Sequence, residues 1–331
     1  MTRDEPLLLL TRSDVERLLD LDACIAAVER AFRLLGEGRA AASRVLGIHV
    51  DDGVFHIKAG VLEADRPWFV AKVNGNFPSN PARTGLPTIQ GVIVLADARN
   101  GRPLALIDSL AVTARRTAAA SAVAARHLAR PGARVATIVG CGVQGRIQLE
   151  ALRAVLPIDR VLAIDRDGRR ADLFVDECAG PGLEVTVAHD LASALEQSDV
   201  VVTCTPSREP LLHAGAVRPG TFIAAVGADN PEKQEIAPRL MAACTVVVDD
   251  LEQCSTLGDL HHAIEDGAMG AADVYASLGE LVAGRKPGRT RDDEITLFDS
   301  TGLALQDAAA AAVLYERALC HGVGVPVALA G

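Results

Sequence analysis

Residues 134–152, RVATIVGCGVQGRIQLEAL, constrain the fold of this chain more than any other stretch. A β-branched run, Val135 to Val139, leads into Gly140-x-Gly142-x-x-Gly145, and an amphipathic segment follows. This order predicts strand, tight turn and helix. The first glycine permits the turn, the second lets a pyrophosphate approach the backbone, and the third lets helix and strand pack closely. The helix N-terminus then offers unpaired N–H groups and a positive dipole end to phosphate. A second apolar run, Arg160 to Ile164, ends in Asp165, where a carboxylate can bond both ribose hydroxyls of a dinucleotide and repel a 2′-phosphate. Arg166 beside it can receive that phosphate, so NAD is the expected cofactor with NADP still open.

Around this unit the text alternates. Strands are predicted near 134–140, 160–165, 184–188, 199–204, 221–227 and 245–249, with helical text between most of them and one more strand at 294–299. That rhythm implies a doubly wound parallel sheet. Residues 43–112 read differently, as short alternating runs broken by Asp51-Asp52-Gly53, Gly85-Leu86-Pro87 and Asn100-Gly101, which predicts a mainly antiparallel sheet of hairpins. Helices are expected over 12–38, with Ser13 and Glu16 as the cap, over Thr113 to Leu128, and over 303–320.

Composition narrows the function classes. Of 331 residues 49% are hydrophobic, so a large core can form, yet only 3% are aromatic, which argues against a base-stacking surface. The formal charge of −10 disfavours nucleic acid and anionic membranes as partners. The N-terminal text is acidic with an apolar run of four leucines, too short for a signal peptide. Seven scattered cysteines without C-x-x-C spacing fit a reduced cytoplasmic setting.

In open parallel sheets ligands lie beyond the carboxyl ends of the strands. The text there is Thr203-Cys204-Thr205-Pro206-Ser207, small enough for a cofactor to lie close and equally the text of an ordinary turn. After the next strand comes Asp229, an acid/base candidate or a turn-capping residue, with Lys233 near enough to pair with it or to be solvated. Arg44, Lys58, Lys72 and Arg116 stand in or beside apolar text, where a cation is costly unless it meets an anion. Together they suggest a small anionic substrate, such as an amino or imino acid. The histidines show no metal-ligand spacing; the adjacent His261 and His262 are expected to point apart into solvent, and no metal is expected.

These motifs resemble the ornithine cyclodeaminase/mu-crystallin family over nearly the full length. The matching text is Lys72-Val-Asn, Pro78-Ser-Asn-Pro, Gly85-Leu-Pro-Thr, Asp108-Ser, Arg116-Thr-Ala-Ala-Ala-Ser-Ala, the glycine turn, Thr205-Pro-Ser, Gly227-Ala-Asp229, Lys233-Gln-Glu, Asp249-Asp-Leu-Glu-Gln and Phe298 through Asp307. The last two blocks are most similar to archaeal-type alanine dehydrogenases. The resemblance implies a Rossmann domain over 116–304 and a discontinuous α+β domain, 1–115 with 305–331, for substrate binding and homodimerisation. It implies hydride transfer between NAD(H) and the α-carbon of a small amino or imino acid. Alanine dehydrogenases and imine reductases stop after one transfer. Ornithine and lysine cyclodeaminases, the alternative activity, run it both ways and release ammonia; a non-catalytic nucleotide-binding member is a third possibility.

Carried over by residue, Arg44, Lys72 and Arg116 would bind the substrate carboxylate, Lys72 and Asp229 would be catalytic, and Gly140, Gly142, Val143, Gln144, Gly145, Asp165 and Arg166 would hold the dinucleotide. Thr205 and the stretch Ser300 to Gly302 would border the nicotinamide. One departure stands out: Lys58-Ala59-Gly60 replaces the Met-Pro-Ala of many members, and a lysine there is similar to iminosuccinate reductases. Lys58 then implies either a substrate with a second acidic group or a replacement for another family cation, since His56 stands where alanine dehydrogenase-like members have arginine.

Overall fold

The computed structural model describes residues 6–40 and 43–329. The chain divides into two compact units, residues 1–116 with 303–331 and residues 117–302. The first begins with β1 (Leu7–Leu10), α1 (Arg12–Leu18) and α2 (Leu21–Gly36). The single helix expected over 12–38 is therefore two. Its cap is a Thr11–Asp14 capping box rather than Ser13 with Glu16, and Asp20 accepts the N–H of Ala23 at 2.8 Å to start a second helix. The break arises because an aspartate inside helical text can satisfy a fresh set of N–H groups.

The antiparallel sheet follows as β2 (Arg44–Val50), β3 (Gly53–Glu63), β4 (Pro67–Asn76), α3 (Asn80–Arg83), β5 (Ile89–Asp97) and β6 (Pro103–Asp108). α4 (Ser109–Leu128) contains the division between the units, after Arg116. In β4 the residues Trp68, Val70 and Lys72 alternate inward. A lysine thus occupies a core-facing position of a strand.

The second unit runs β7 (Val135–Val139), α5 (Val143–Arg153), β8 (Arg160–Ile164), α6 (Gly168–Cys178), β9 (Glu184–Val187), α7 (Leu191–Gln197), β10 (Val200–Thr203), β11 (Phe222–Ala225), α8 (Pro238–Met241), β12 (Thr245–Val248), α9 (Leu251–Leu257), α10 (Asp259–Glu265), β13 (Ala276–Ser277), α11 (Leu278–Val282) and β14 (Thr296–Asp299). Its sheet has the order β13-β12-β14-β11-β10-β7-β8-β9, parallel throughout. The order reverses between β7 and β10, the switch point at which such sheets bind ligands. β13, two residues long, has no counterpart in the sequence reading.

The chain then returns to the first unit with α12 (Ala304–His321) and β15 (Val325–Val327). α12 is buried along most of its length against α2 and the strands β3, β4 and β5. Its alanines permit this: a Cβ built at Gly60 of β3 would lie 3.2 Å from Ala304 Cβ. β15 pairs with β1, completing a seven-stranded sheet and giving the leucine run a structural role that its composition does not announce. Among the described residues no helix is long and apolar enough to cross a membrane.

Candidate active site

In the second unit the glycine turn has the shape that its spacing demands. Gly140 has φ +108°, and a Cβ there would meet the Cys204 carbonyl oxygen at 2.9 Å. A Cβ on Gly145 would collide with the Gly140 carbonyl oxygen, so only glycine lets α5 approach the turn. Gly142 faces open space and caps α5 without a side chain, leaving that helix end available to an anion. Val143 is exposed beside it, and the buried amide nitrogen of Gln144 lacks a hydrogen-bond partner among the described residues. These features fit a bound pyrophosphate. At the end of β8, Asp165 accepts N–H groups from Cys141 at 2.9 Å and Asp167 at 3.0 Å, which orients its carboxylate. Arg166 is exposed next to it.

The hydroxyls expected to border the nicotinamide are engaged by buried acids. Glu235 accepts both the N–H and the hydroxyl of Thr205 at 2.6 Å and the N–H of Gly227 at 2.9 Å. Burial pushes its carboxyl up from the ordinary range. Asp249 accepts Ser300 Oγ at 3.1 Å, Thr301 Oγ1 at 3.0 Å and the Gly302 N–H at 2.7 Å. Asp259 accepts the N–H groups of Glu235 and Ile236, and Asp299 accepts that of Leu260. Burial raises Asp299 to about 7. Four acids thus hold the loops at the carboxyl ends of the strands. None of the four is a candidate by sequence pattern alone, although Glu235, Asp249 and Asp299 lie inside the family-matching text, and an acid within apolar text is the available signal.

Asp229 lies in the loop after β11, followed by a turn in which Asn230 accepts the N–H groups of Glu232 and Lys233. Its carboxylate meets Lys233 Nζ at 2.7 Å, and its side chain is 55% exposed within this unit. His262 Nε2 lies 2.9 Å from the Lys233 carbonyl, and the His261 and His262 ring centroids are 5.1 Å apart, so the two rings do not diverge into solvent as expected.

The first unit gathers cations. Lys58 and Lys72 are register partners across β3 and β4, so they share a face, and both are buried. Lys72 Nζ lies 3.0 and 2.8 Å from the two oxygens of Asp307 on α12. Arg116 donates to Asp307 Oδ1 at 3.0 Å and to Gln306 at 2.7 Å. Burial, with Arg116 nearby, pulls Lys72 down to about 7. Burial also acts to raise Asp307, but Lys72 and Arg116 outweigh it and hold the carboxyl below its usual range. Asp307 and Gln306 were missed as site residues; their signal is two polar groups within the buried run LALQDAAAAA. Arg44 does not join the group. It is exposed and pairs with Ala59 while its neighbour Val45 pairs with Lys58, which carries it to the other face of the sheet.

A family model for the ornithine cyclodeaminase/mu-crystallin family matches residues 6–322. The chain belongs to this family. It is 42% identical to an alanine dehydrogenase of Archaeoglobus fulgidus over 96% of this chain and 97% of that one. Among solved structures it is similar to an archaeal alanine dehydrogenase dimer with bound NAD (40% identity, TM-score 0.93, 98% of this chain and 99% of that one). It is equally similar in fold to the Thermococcus litoralis Δ1-pyrroline-2-carboxylate reductase in complex with NADH and L-proline (37% identity, TM-score 0.93, 97% of this chain and all of that one).

Proposed function

We propose that this family member is an NAD(H)-dependent oxidoreductase acting on a small amino acid and its imine. The observation that carries the reading is the buried group around Asp307. Lys72 and Arg116 share one carboxylate, so the pair is one counter-charge short whenever Lys72, pulled down to about 7, holds its proton in a place where an unbalanced charge is costly. A substrate α-carboxylate supplies the missing charge, and the planar guanidinium of Arg116 suits it. Lys58, on the same face as Lys72, extends the group toward a second acidic function, so a dicarboxylic imine fits as well as a monocarboxylic one. Asp229 is the acid/base that exchanges a proton with the substrate nitrogen or with water, and Lys233 orients its carboxylate. The glycine turn, Gln144, Asp165 and the loops carrying Thr205 and Ser300 to Gly302 hold the dinucleotide, whose nicotinamide gives or takes the hydride when bound. Asp165, oriented by two N–H groups, favours NAD over NADP.

The functional unit is a homodimer. One face of the antiparallel sheet presents Leu46, Ile48, Val50, Phe55 and Val92 to solvent, a contiguous apolar surface that a second copy would cover. All seven cysteines are free thiols, in keeping with a reducing cytoplasmic setting.

The decisive experiment supplies 2-oxo acids, pyruvate and oxaloacetate among them, with ammonia and NADH, and follows loss of reduced nicotinamide. We expect stoichiometric oxidation, and an Asp229→Asn variant that binds NADH normally while turning over about 10²–10⁴-fold more slowly. Ammonia release from ornithine or lysine without accumulation of reduced cofactor would instead identify a cyclodeaminase. Undiminished turnover by Asp229→Asn would remove the acid/base role.

A further inference from the structure

We propose that α10 carries a binding site for a divalent transition metal, with zinc as the reference ion, formed by His261, His262 and Glu265. One potential ligand atom from each residue lies within 4.8 Å of the other two. The helix itself explains the convergence. At about 100° per residue, His262 stands 100° around from His261, whereas Glu265, one turn on, falls at about 40°, between them. The carboxylate therefore caps a triangle whose base is the two imidazoles. The geometry agrees: the ring centroids are 5.1 Å apart and tilted by 57°, and His261 Nε2 is 3.4 Å from Glu265 Oε2.

Two further features suit a metal better than a chance cluster. His262 Nε2 lies 2.9 Å from the Lys233 carbonyl, which can only accept, so this nitrogen carries the proton. Nδ1 then keeps its lone pair for a metal, and the ring is fixed by a carbonyl in the way that outer-shell partners fix metal-binding histidines. The helix is also anchored: buried Asp299 accepts the N–H of Leu260 at 2.9 Å, and Asp259 accepts those of Glu235 and Ile236 at 2.7 and 2.8 Å. Ligands on a fixed element lose little entropy on binding. Two imidazoles and one carboxylate favour zinc, cobalt or nickel over calcium and magnesium, which prefer all-oxygen shells. Three protein ligands leave a position for water. Because Lys233 pairs with Asp229, a metal held by His262 would also stiffen the loop bearing that acid.

The test uses the full-length protein, treated with chelator under reducing conditions and titrated with Co²⁺ by visible absorption and with Zn²⁺ by calorimetry. The site predicts one saturable ion per chain, weak d–d bands and no thiolate-to-cobalt charge-transfer band. His261→Ala and Glu265→Gln should each weaken binding at least tenfold, and the His261→Ala/His262→Ala pair should abolish it. His261→Ala leaves the His262–Lys233 bond in place, and an unchanged metal-free melting temperature would establish that it folds. Unchanged affinity in these variants, a thiolate band, or no saturation below millimolar metal would each overturn the assignment.

Discussion

Asp307 is the residue on which the buried charges of the first unit depend. It has no exposed surface and serves two cations from different elements, Lys72 of β4 and Arg116 of α4. Removing its charge leaves buried Arg116 without this carboxylate and drives Lys72, already pulled down to about 7, to give up its proton. Asp307→Asn should therefore lower unfolding free energy by about 3–5 kcal/mol, measured in urea. Asp299 in the second unit has the opposite electrostatic situation. Burial raises it to about 7 from an ordinary value of 3.8, so the folded chain holds a proton that the unfolded chain has lost. Protons bound by the folded state exceed those bound by the unfolded state between about pH 4 and 7, and this group's contribution to stability falls as pH rises through that window. Asp299→Asn should flatten that part of the stability–pH curve; an unchanged slope would show that the proton resides elsewhere.

The β7–turn–α5 element separates glycines needed for folding from glycines needed for binding. Gly145 is closed by the Gly140 carbonyl, whereas Gly142 faces open space at φ −86°, a conformation that alanine adopts without strain. Gly145→Ala should lower both the melting temperature and NAD affinity, because α5 must shift away from the turn. Gly142→Ala should leave the melting temperature within a degree or two and weaken NAD by tenfold or more, since its methyl group would occupy the anion's approach. Calorimetric melting and NADH fluorescence titration distinguish the two. Equal effects on both properties would mean that the turn, and not the space above it, controls affinity.

At the scale of the whole molecule, the proposed dimer rests on the apolar face of the antiparallel sheet. Ile48 is 47% exposed and lies opposite Phe55 across β2 and β3. Ile48→Asp should convert a dimer to a monomer by light scattering, while the parallel-sheet unit keeps its NADH affinity. Much of this architecture was legible beforehand because it rests on local rules. The β-branched runs, the Gly140-x-Gly142-x-x-Gly145 turn and the Asn100-Gly101 hairpin each state their conformation within a few residues. The break at Asp20 was not legible, because a capping aspartate and a solvated helical one look alike in a sequence. The same holds for Arg44 and Lys58, both cations in strand text, which only the β2–β3 register sends to opposite faces. The sequence by itself determined most of the longer strands and helices and which types of chemistry the chain carries, since periodicity and glycine spacing act over short distances; the break at Asp20 and the short strands β1, β13 and β15 lay beyond it. Only the tertiary structure decided which charges meet: Lys72 and Asp307 are 235 residues apart, and whether they pair depends on strand register and helix packing rather than on any neighbouring residue.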